Sequence, residues 1–169
     1  MMKRPEVRKA LDVVASVSMI LASVALIWYV VSARSQSGVA GAPRTYRVGD
    51  RLDNVSELGI GASPRTLIVW IRSGCRFCAE SMPFYSRLSR QPRRSQIVVA
   101  GLEPPDQLRA YVDSQGFSPD KVVTVRPGAL QLTGTPTLVL VDASGVVLNV
   151  WKGKLPNTAA EEEVRRSLE

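Results

Sequence analysis

The chain contains no histidine and only two cysteines. The first absence rules out Ser-His-Asp and Cys-His catalysis, which need an imidazole to move protons. The second means that one chain cannot close a zinc site of cysteine and histidine, and no metal site is expected. No Gly-rich dinucleotide motif is present, so a soluble nucleotide cofactor is not expected either. The formal charge is +7, yet no basic-aromatic motif accompanies it, and no nucleic-acid partner is expected.

Charge is missing altogether from Val13 to Ala33. As a helix, about 20 apolar residues rise roughly 30 Å, the thickness of a bilayer core. Trp28 and Tyr29 near the far end suit a membrane–water interface. Lys3, Arg4, Arg8 and Lys9 crowd the first flank, whereas Arg34 stands alone close to the second. The positive-inside rule then puts residues 1–12 in the cytoplasm, 13–33 across the inner membrane and the rest in the periplasm. Val31-Ser32-Ala33 would also pass as a cleavage site, but this apolar run is longer than a secretory h-region. A buried core helix is disfavoured because the segment lacks a polar face. Residues 34–45, small and Gly-rich, read as a flexible tether. Residues 46–169 are then one domain in a compartment where disulfides persist.

Within that domain, Thr66-Leu67-Ile68-Val69-Trp70-Ile71 predicts a buried strand. Ser73-Gly74 breaks it, and Cys75-Arg76-Phe77-Cys78 follows. A helical pattern continues, with Phe77, Met82, Phe84, Tyr85 and Leu88 recurring at spacings of three and four. Cys75 would open this helix, where free N–H groups and the macrodipole favour a thiolate. Arg76 would tune the pKa further as a neighbouring cation, and by stabilising the thiolate would make the protein more oxidising. Cys75 could attack a partner's disulfide and Cys78, one turn on, could resolve the product. Glu80 reads as a surface residue of the first turn.

Downstream, Ile97–Ala100 predicts a second strand, Glu103–Gln115 a helix ended by Gly116, and Lys121–Val125 a third strand. Thr135–Val141 and Val146–Trp151 predict two more strands, joined by a turn at Asp142–Gly145. Thr158–Leu168 predicts a surface helix with charges matching its dipole. Tyr46–Pro64 reads as a loop-rich lead-in. Arg87, Arg90, Arg93 and Arg94 cluster at the end of the Cys-x-x-Cys helix, where cations suit the dipole.

The stretch from Thr66 to Leu88 resembles the active site of the thioredoxin superfamily. Pro83, five residues past Cys78, matches the proline that kinks the family's helix, and Gly134-Thr135-Pro136-Thr137 resembles its cis-proline loop. The extra strand and helix after the active-site helix, and the Val48-Gly49-Asp50 lead-in, are similar to membrane-anchored extracytoplasmic proteins of the ResA and TlpA type. The resemblance implies an α/β thioredoxin-like fold, a mixed central sheet flanked by helices, behind the N-terminal transmembrane helix. It also implies that the cis Thr135–Pro136 loop faces Cys75 and pairs with a substrate's extended chain. Val69 stands where thioredoxins carry a buried Asp that assists proton transfer, and Gly74 where they carry a tryptophan.

The expected function is thiol–disulfide exchange with protein substrates, contributing to cell redox homeostasis. The cofactor would be the Cys75–Cys78 pair itself, and electrons would pass to or from a membrane partner. By resemblance, the work would be cytochrome c maturation or assembly of a metal or redox protein. A peroxidase is disfavoured, since no Thr and Pro precede Cys75 as a peroxide site requires. The remaining alternative is a non-catalytic binding or assembly module whose cysteines form a structural bond or ligate a soft metal.

Overall fold

The computed structural model describes residues 18–28, 46–52, 55–127, 129–130 and 132–169. The chain divides into two units, Met1–Ala40 and Gly41–Glu169. In the first, residues 18–28 form helix α1, whose apolar side chains, among them Met19, Leu21, Val24 and Ile27, are exposed. The rest of the 13–33 segment, and the tether at 34–45, lie outside the described residues. Among the described residues, no helix is long and apolar enough to cross a membrane.

The second unit is built on a five-stranded sheet. Its strands are β1 (Arg65–Trp70), β2 (Gln96–Gly101), β3 (Lys121–Thr124), β4 (Thr137–Asp142) and β5 (Val147–Lys152). Their order is β3-β2-β1-β4-β5. β1, β2 and β3 run parallel, while β4 runs antiparallel to both β1 and β5. The central strands β1, β2 and β4 are buried along nearly their whole length. That burial on two faces is why they read as continuous apolar runs rather than alternating ones.

Two hydrophobic clusters sandwich the sheet. On one side, Leu67, Val69, Ile97 and Val99 meet helix α3 (Arg76–Arg90), helix α4 (Pro105–Ser114) and helix α5 (Thr158–Ser167). On the other, Ile68, Trp70, Val139 and Val141 are covered by Tyr46, Leu52, Leu58 and the loop bearing Val125 and Leu130. The lead-in is therefore more ordered than its weak pattern suggests. Arg51 bridges to Val146, and Val55–Leu58 forms a short helix, α2. Four residues are too few to show a helical period.

Local chemistry sets the boundaries. Gly116 ends α4 at φ 67°, a left-handed conformation that glycine adopts without steric cost. The hairpin between β4 and β5 turns on Gly145 at φ 83° and on the Asp142 carboxylate. That carboxylate accepts hydrogen bonds from the Ser144 N–H and hydroxyl, both at 2.8 Å, and the Val146 N–H at 3.0 Å. Asn157 caps α5 by accepting from the Ala160 N–H at 3.0 Å.

Three expectations need correction. Phe77 is 56% exposed and belongs to no core cluster; Cys78 and Ser81 complete the buried face of α3 instead. Helix α4 starts at Pro105, not Glu103, because Pro104 takes the cap position and Glu103 turns back toward Ser73. Strand β4 starts at Thr137, since residues 134–136 bend before it. The arginines at the end of α3 are largely engaged in fixed contacts. Arg87 pairs with Glu161 at 2.9 Å, Arg93 pairs with Asp120 at 2.7 Å, and Arg90 donates to the Gly116 carbonyl at 3.3 Å.

Candidate active site

The chemistry collects at one end of the sheet. β1 ends at Trp70, and the chain passes through Ile71–Gly74 into α3; β4 begins at Thr137, directly after the Thr135–Pro136 loop. Because Trp70 and Thr137 are register partners, those two turns sit side by side. The Thr135–Pro136 peptide is cis. Cys75, Cys78, Thr135 and Pro136 are thus brought together by strands separated by more than half the domain.

Cys75 is the N-cap of α3. Its sulfur accepts from the Cys78 N–H at 3.1 Å, and its thiol donates to the Thr135 carbonyl at 3.3 Å. Its backbone carbonyl accepts from the Ala79 N–H at 3.1 Å, so Cys75 holds the first turn from both its side chain and its main chain. Pro83 lies inside α3 on its exposed side, and the helix runs on to Arg90.

The two thiols are free and differ sharply. Burial, the largest single influence, pushes the Cys75 thiol up. Hydrogen bonding to its sulfur from the side chains of Cys78 and Thr135, and from the backbone N–H groups of Cys78 and Phe77, outweighs it and holds Cys75 below its ordinary value. Cys78 is fully buried, and burial together with the Cys75 sulfur pushes it up to about 12. Tyr85, on the next turns of α3, is raised as well, chiefly by burial. One sulfur is therefore prepared as a thiolate and the other kept as a thiol.

Arg76 is placed differently from its neighbours. Its side chain is 87% exposed, and its guanidinium pairs with Glu80 at 2.9 Å. Glu80 also takes Lys154 at 3.0 Å, which links the start of α3 to the segment after β5. The influences that lower Cys75 come from the helix cap and the Thr135 loop, and Arg76 is not among the leading ones.

Cys75 opens onto a groove of about 550 Å³. Its walls include Phe77, Leu102 and Leu132, with Arg72 and Arg76 near the rim and Gly134-Thr135 along one side. Phe77 and Leu102 are more than half exposed, giving the mouth an apolar lip. Sequence reasoning missed Leu102, Glu103 and Leu132. The first two follow the C-terminal end of β2, beside β1, and in open α/β sheets such strand ends are where sites form.

No protein-family model matches the chain, and no curated protein matches it significantly. Solved structures do. The thioredoxin domain of a thiol-disulfide oxidoreductase from Bacteroides vulgatus superposes with a TM-score of 0.55 at 12% identity, covering 74% of this chain and 100% of that one. A thiol:disulfide interchange protein of the thioredoxin family from Chlorobium tepidum gives 0.53 at 17% identity, covering 74% and 99%. StoA from Bacillus subtilis gives 0.51 at 17% identity, covering 63% and 84%.

The fold is thioredoxin-like. In this thioredoxin-like domain Cys75 caps α3 at the end of the β1–α3 turn, Cys78 lies in the first turn of the helix, and the Thr135 carbonyl of the cis Thr135–Pro136 loop meets the Cys75 thiol.

The asymmetry of the pair makes a direct prediction about alkylation. The reactive species is the thiolate. Cys78 is displaced from an ordinary 9.0 to about 12, so its thiolate fraction near neutral pH falls roughly a thousand-fold. Iodoacetamide added to the reduced protein at neutral pH should therefore modify Cys75 alone. A second adduct, on Cys78, should appear only as the pH climbs toward 12. Peptide mass mapping across pH reads this, and equal labelling of both residues at neutral pH contradicts it.

Proposed function

We propose that the protein is a thiol–disulfide oxidoreductase that acts on protein thiols and disulfides. The observation that carries this reading is the division of labour between the sulfurs. Cys75 caps a helix at the floor of an open groove with its pKa lowered, and Cys78 lies buried beneath it with its pKa raised. Acting as reductant, the Cys75 thiolate attacks a substrate disulfide, forms a mixed disulfide and releases one substrate thiolate. Cys78 then attacks the Cys75 sulfur, releases the second substrate thiol and leaves the Cys75–Cys78 disulfide. Two electrons pass to the substrate, and the reverse sequence oxidises a dithiol. The backbone at Thr135, next to Pro136, suits pairing with an extended segment of substrate, a single-strand augmentation that places a substrate sulfur against Cys75. The names of the structural neighbours, oxidoreductases and interchange proteins, agree with this chemistry.

In the same reading the domain is held at the inner membrane by residues 13–33, with residues 1–12 cytoplasmic and the sulfurs in the periplasm. The uncharged run, the basic first flank and the exposed apolar surface of α1 support that arrangement. Electrons would be exchanged with a membrane redox protein. The substrates would be cysteines of apocytochrome c or of a metal-centre assembly factor.

Trapping tests the core of the proposal. Purified Cys78→Ser, mixed with an oxidised Cys-x-x-Cys-His peptide, should accumulate a covalent adduct on Cys75 that reducing agent removes. The parent protein should reduce the peptide and accumulate none. If Cys78→Ser forms no adduct and still supports function in cells, the cysteines belong to a binding module and the enzyme reading falls.

A further inference from the structure

Three large apolar side chains stand uncovered around the reactive groove. Phe77 is 56% exposed, Leu102 is 53% exposed and Leu132 is half-buried, and all three line the groove onto which Cys75 opens. They come from separate parts of the chain. Phe77 belongs to the first turn of α3, Leu102 follows β2, and Leu132 precedes the Thr135–Pro136 loop. Scattered exposed apolar residues are ordinary on a protein surface. Three gathered from distant positions into one concavity mark a surface that is covered in use.

The sheet order sets out the groove. β2, β1 and β4 are successive neighbours. At this end of the sheet, Leu102 after β2, Arg72 after β1 and Thr135 before β4 therefore follow one another across the groove. An extended segment lying along Thr135 brings its sulfur to Cys75, and its neighbouring side chains reach Arg72 and the apolar rim.

The charged groups of the groove are not equally available. Arg76 is paired with Glu80 at 2.9 Å, and Lys154 shares the same carboxylate at 3.0 Å. Glu103 accepts from the Ser73 N–H at 2.8 Å and the Ser73 hydroxyl at 3.1 Å through Oε1, and its Oε2 is buried. Arg72 differs from both. Its carbonyl accepts from the Cys75 N–H at 3.2 Å, which anchors its main chain in the turn. The residue is exposed, and its guanidinium has no ion-pair partner among the described residues. The groove thus presents one uncompensated cation beside an apolar rim, and the complement of that surface is an apolar side chain with a carboxylate near it.

We propose that this groove selects client segments carrying a bulky apolar residue and a carboxylate within two residues of the reactive cysteine. Phe77, Leu102 and Leu132 cover the first, and Arg72 pairs with the second. The inference rests on the oxidoreductase reading above and names the clients of that same site. An extended segment turns alternate side chains to opposite sides. Residues next to the cysteine and residues two away therefore meet different walls, and a window of two on either side reaches both. Apolar burial supplies the grip, while the single ion pair discriminates between clients of opposite charge.

The test uses the reduced full-length protein in neutral detergent, in excess over short peptides whose single cysteine carries a thiopyridyl group. The Cys75 thiolate bonds to the peptide sulfur and the peptide–thiopyridyl S–S bond breaks. The electron pair leaves on the pyridine thiolate, which takes a proton from solvent and absorbs as uncharged thiopyridone. Each rate is divided by that of the same peptide with mercaptoethanol, which removes the peptide's own reactivity. A peptide with Phe and Glu in the window should react roughly ten- to fifty-fold faster than one with Gly and Gln there. Exchanging its Glu for Lys should slow it by roughly five-fold, and salt at about 1 M should erase that difference while leaving the Phe effect.

Arg72→Glu should reverse the order of the Glu and Lys peptides. Phe77→Ser combined with Leu102→Ser should level the Phe and Gly peptides and keep Glu ahead of Lys. Equal normalised rates across the panel overturn the proposal, and so does a Glu-over-Lys order that Arg72→Glu leaves unchanged. A dimer of the reduced protein that Phe77→Ser dissociates makes a second copy the occupant, and also overturns it. A protein that reacts with no peptide faster than mercaptoethanol does removes the oxidoreductase reading itself, and this inference with it.

Discussion

Cys75→Ser is expected to reduce disulfide exchange by roughly a thousand-fold or more, to the background of free thiols in solution. A serine hydroxyl at the helix cap still accepts from the Cys78 N–H, so the first turn of α3 should persist. What disappears is the thiolate, the species that attacks. Cys78 cannot take over, because it is fully buried and its thiol is pushed up to about 12. The measurement is turnover of a fluorescent peptide disulfide by Cys75→Ser beside the parent. An unchanged unfolding midpoint should accompany the lost activity. Residual activity within ten-fold of the parent would mean that Cys78, or some group outside the pair, starts the reaction.

Phe117→Ala should cost about 3–5 kcal/mol of stability, the largest effect expected from a residue outside the groove. Phe117 is fully buried, and its ring centroid stands 5.7 Å from that of Tyr85, which in turn stands 5.7 Å from Phe84. The residue is fixed by its N–H, which donates to the Val112 carbonyl at 3.0 Å just past the end of α4. Truncation leaves a hole between α3 and α4 that backbone hydrogen bonds keep from closing. Domains of this size hold about 5–15 kcal/mol in all, so the variant should be marginal. Denaturant unfolding reads the loss. Because Tyr85 shares α3 with Cys78, the same variant should also admit alkylating reagent to Cys78 at lower pH than the parent does. A loss below about 1 kcal/mol would show that the aromatic row is not a structural support.

The chain order of the elements was legible because each central strand is a short apolar run bounded by turn residues, and because Cys-x-x-Cys marks the start of a helix. What the pattern concealed is instructive. Phe77 looked like a core residue because it is large and apolar, yet it is a lip of the groove; the inward face at that turn belongs to Cys78 and Ser81, whose small side chains carry little hydropathic weight. Arg76 looked like the charge that governs Cys75, since it is adjacent in sequence. Adjacent residues on a helix point apart, and Arg76 reaches one turn along to Glu80 instead. Glu103 read as the opening of a helix. Its partner is Ser73, thirty residues earlier, a contact that exists only once β1 and β2 lie side by side in parallel. A short-range pattern cannot carry information about such a pair.

The lead-in attaches far from the chemistry. Gly49 donates to the Val147 carbonyl at 2.9 Å, and Leu52 donates to the Gly145 carbonyl at 2.9 Å, beside the β4–β5 turn. That turn lies level with Arg65, where β1 begins, whereas the sulfurs follow Trp70, where β1 ends. The domain therefore has two poles, one where the lead-in meets the sheet and one that carries the cysteine pair. A bead or a sensor surface joined directly to residue 46 would leave the sulfurs at the pole away from the lead-in's hydrogen bonds to the sheet.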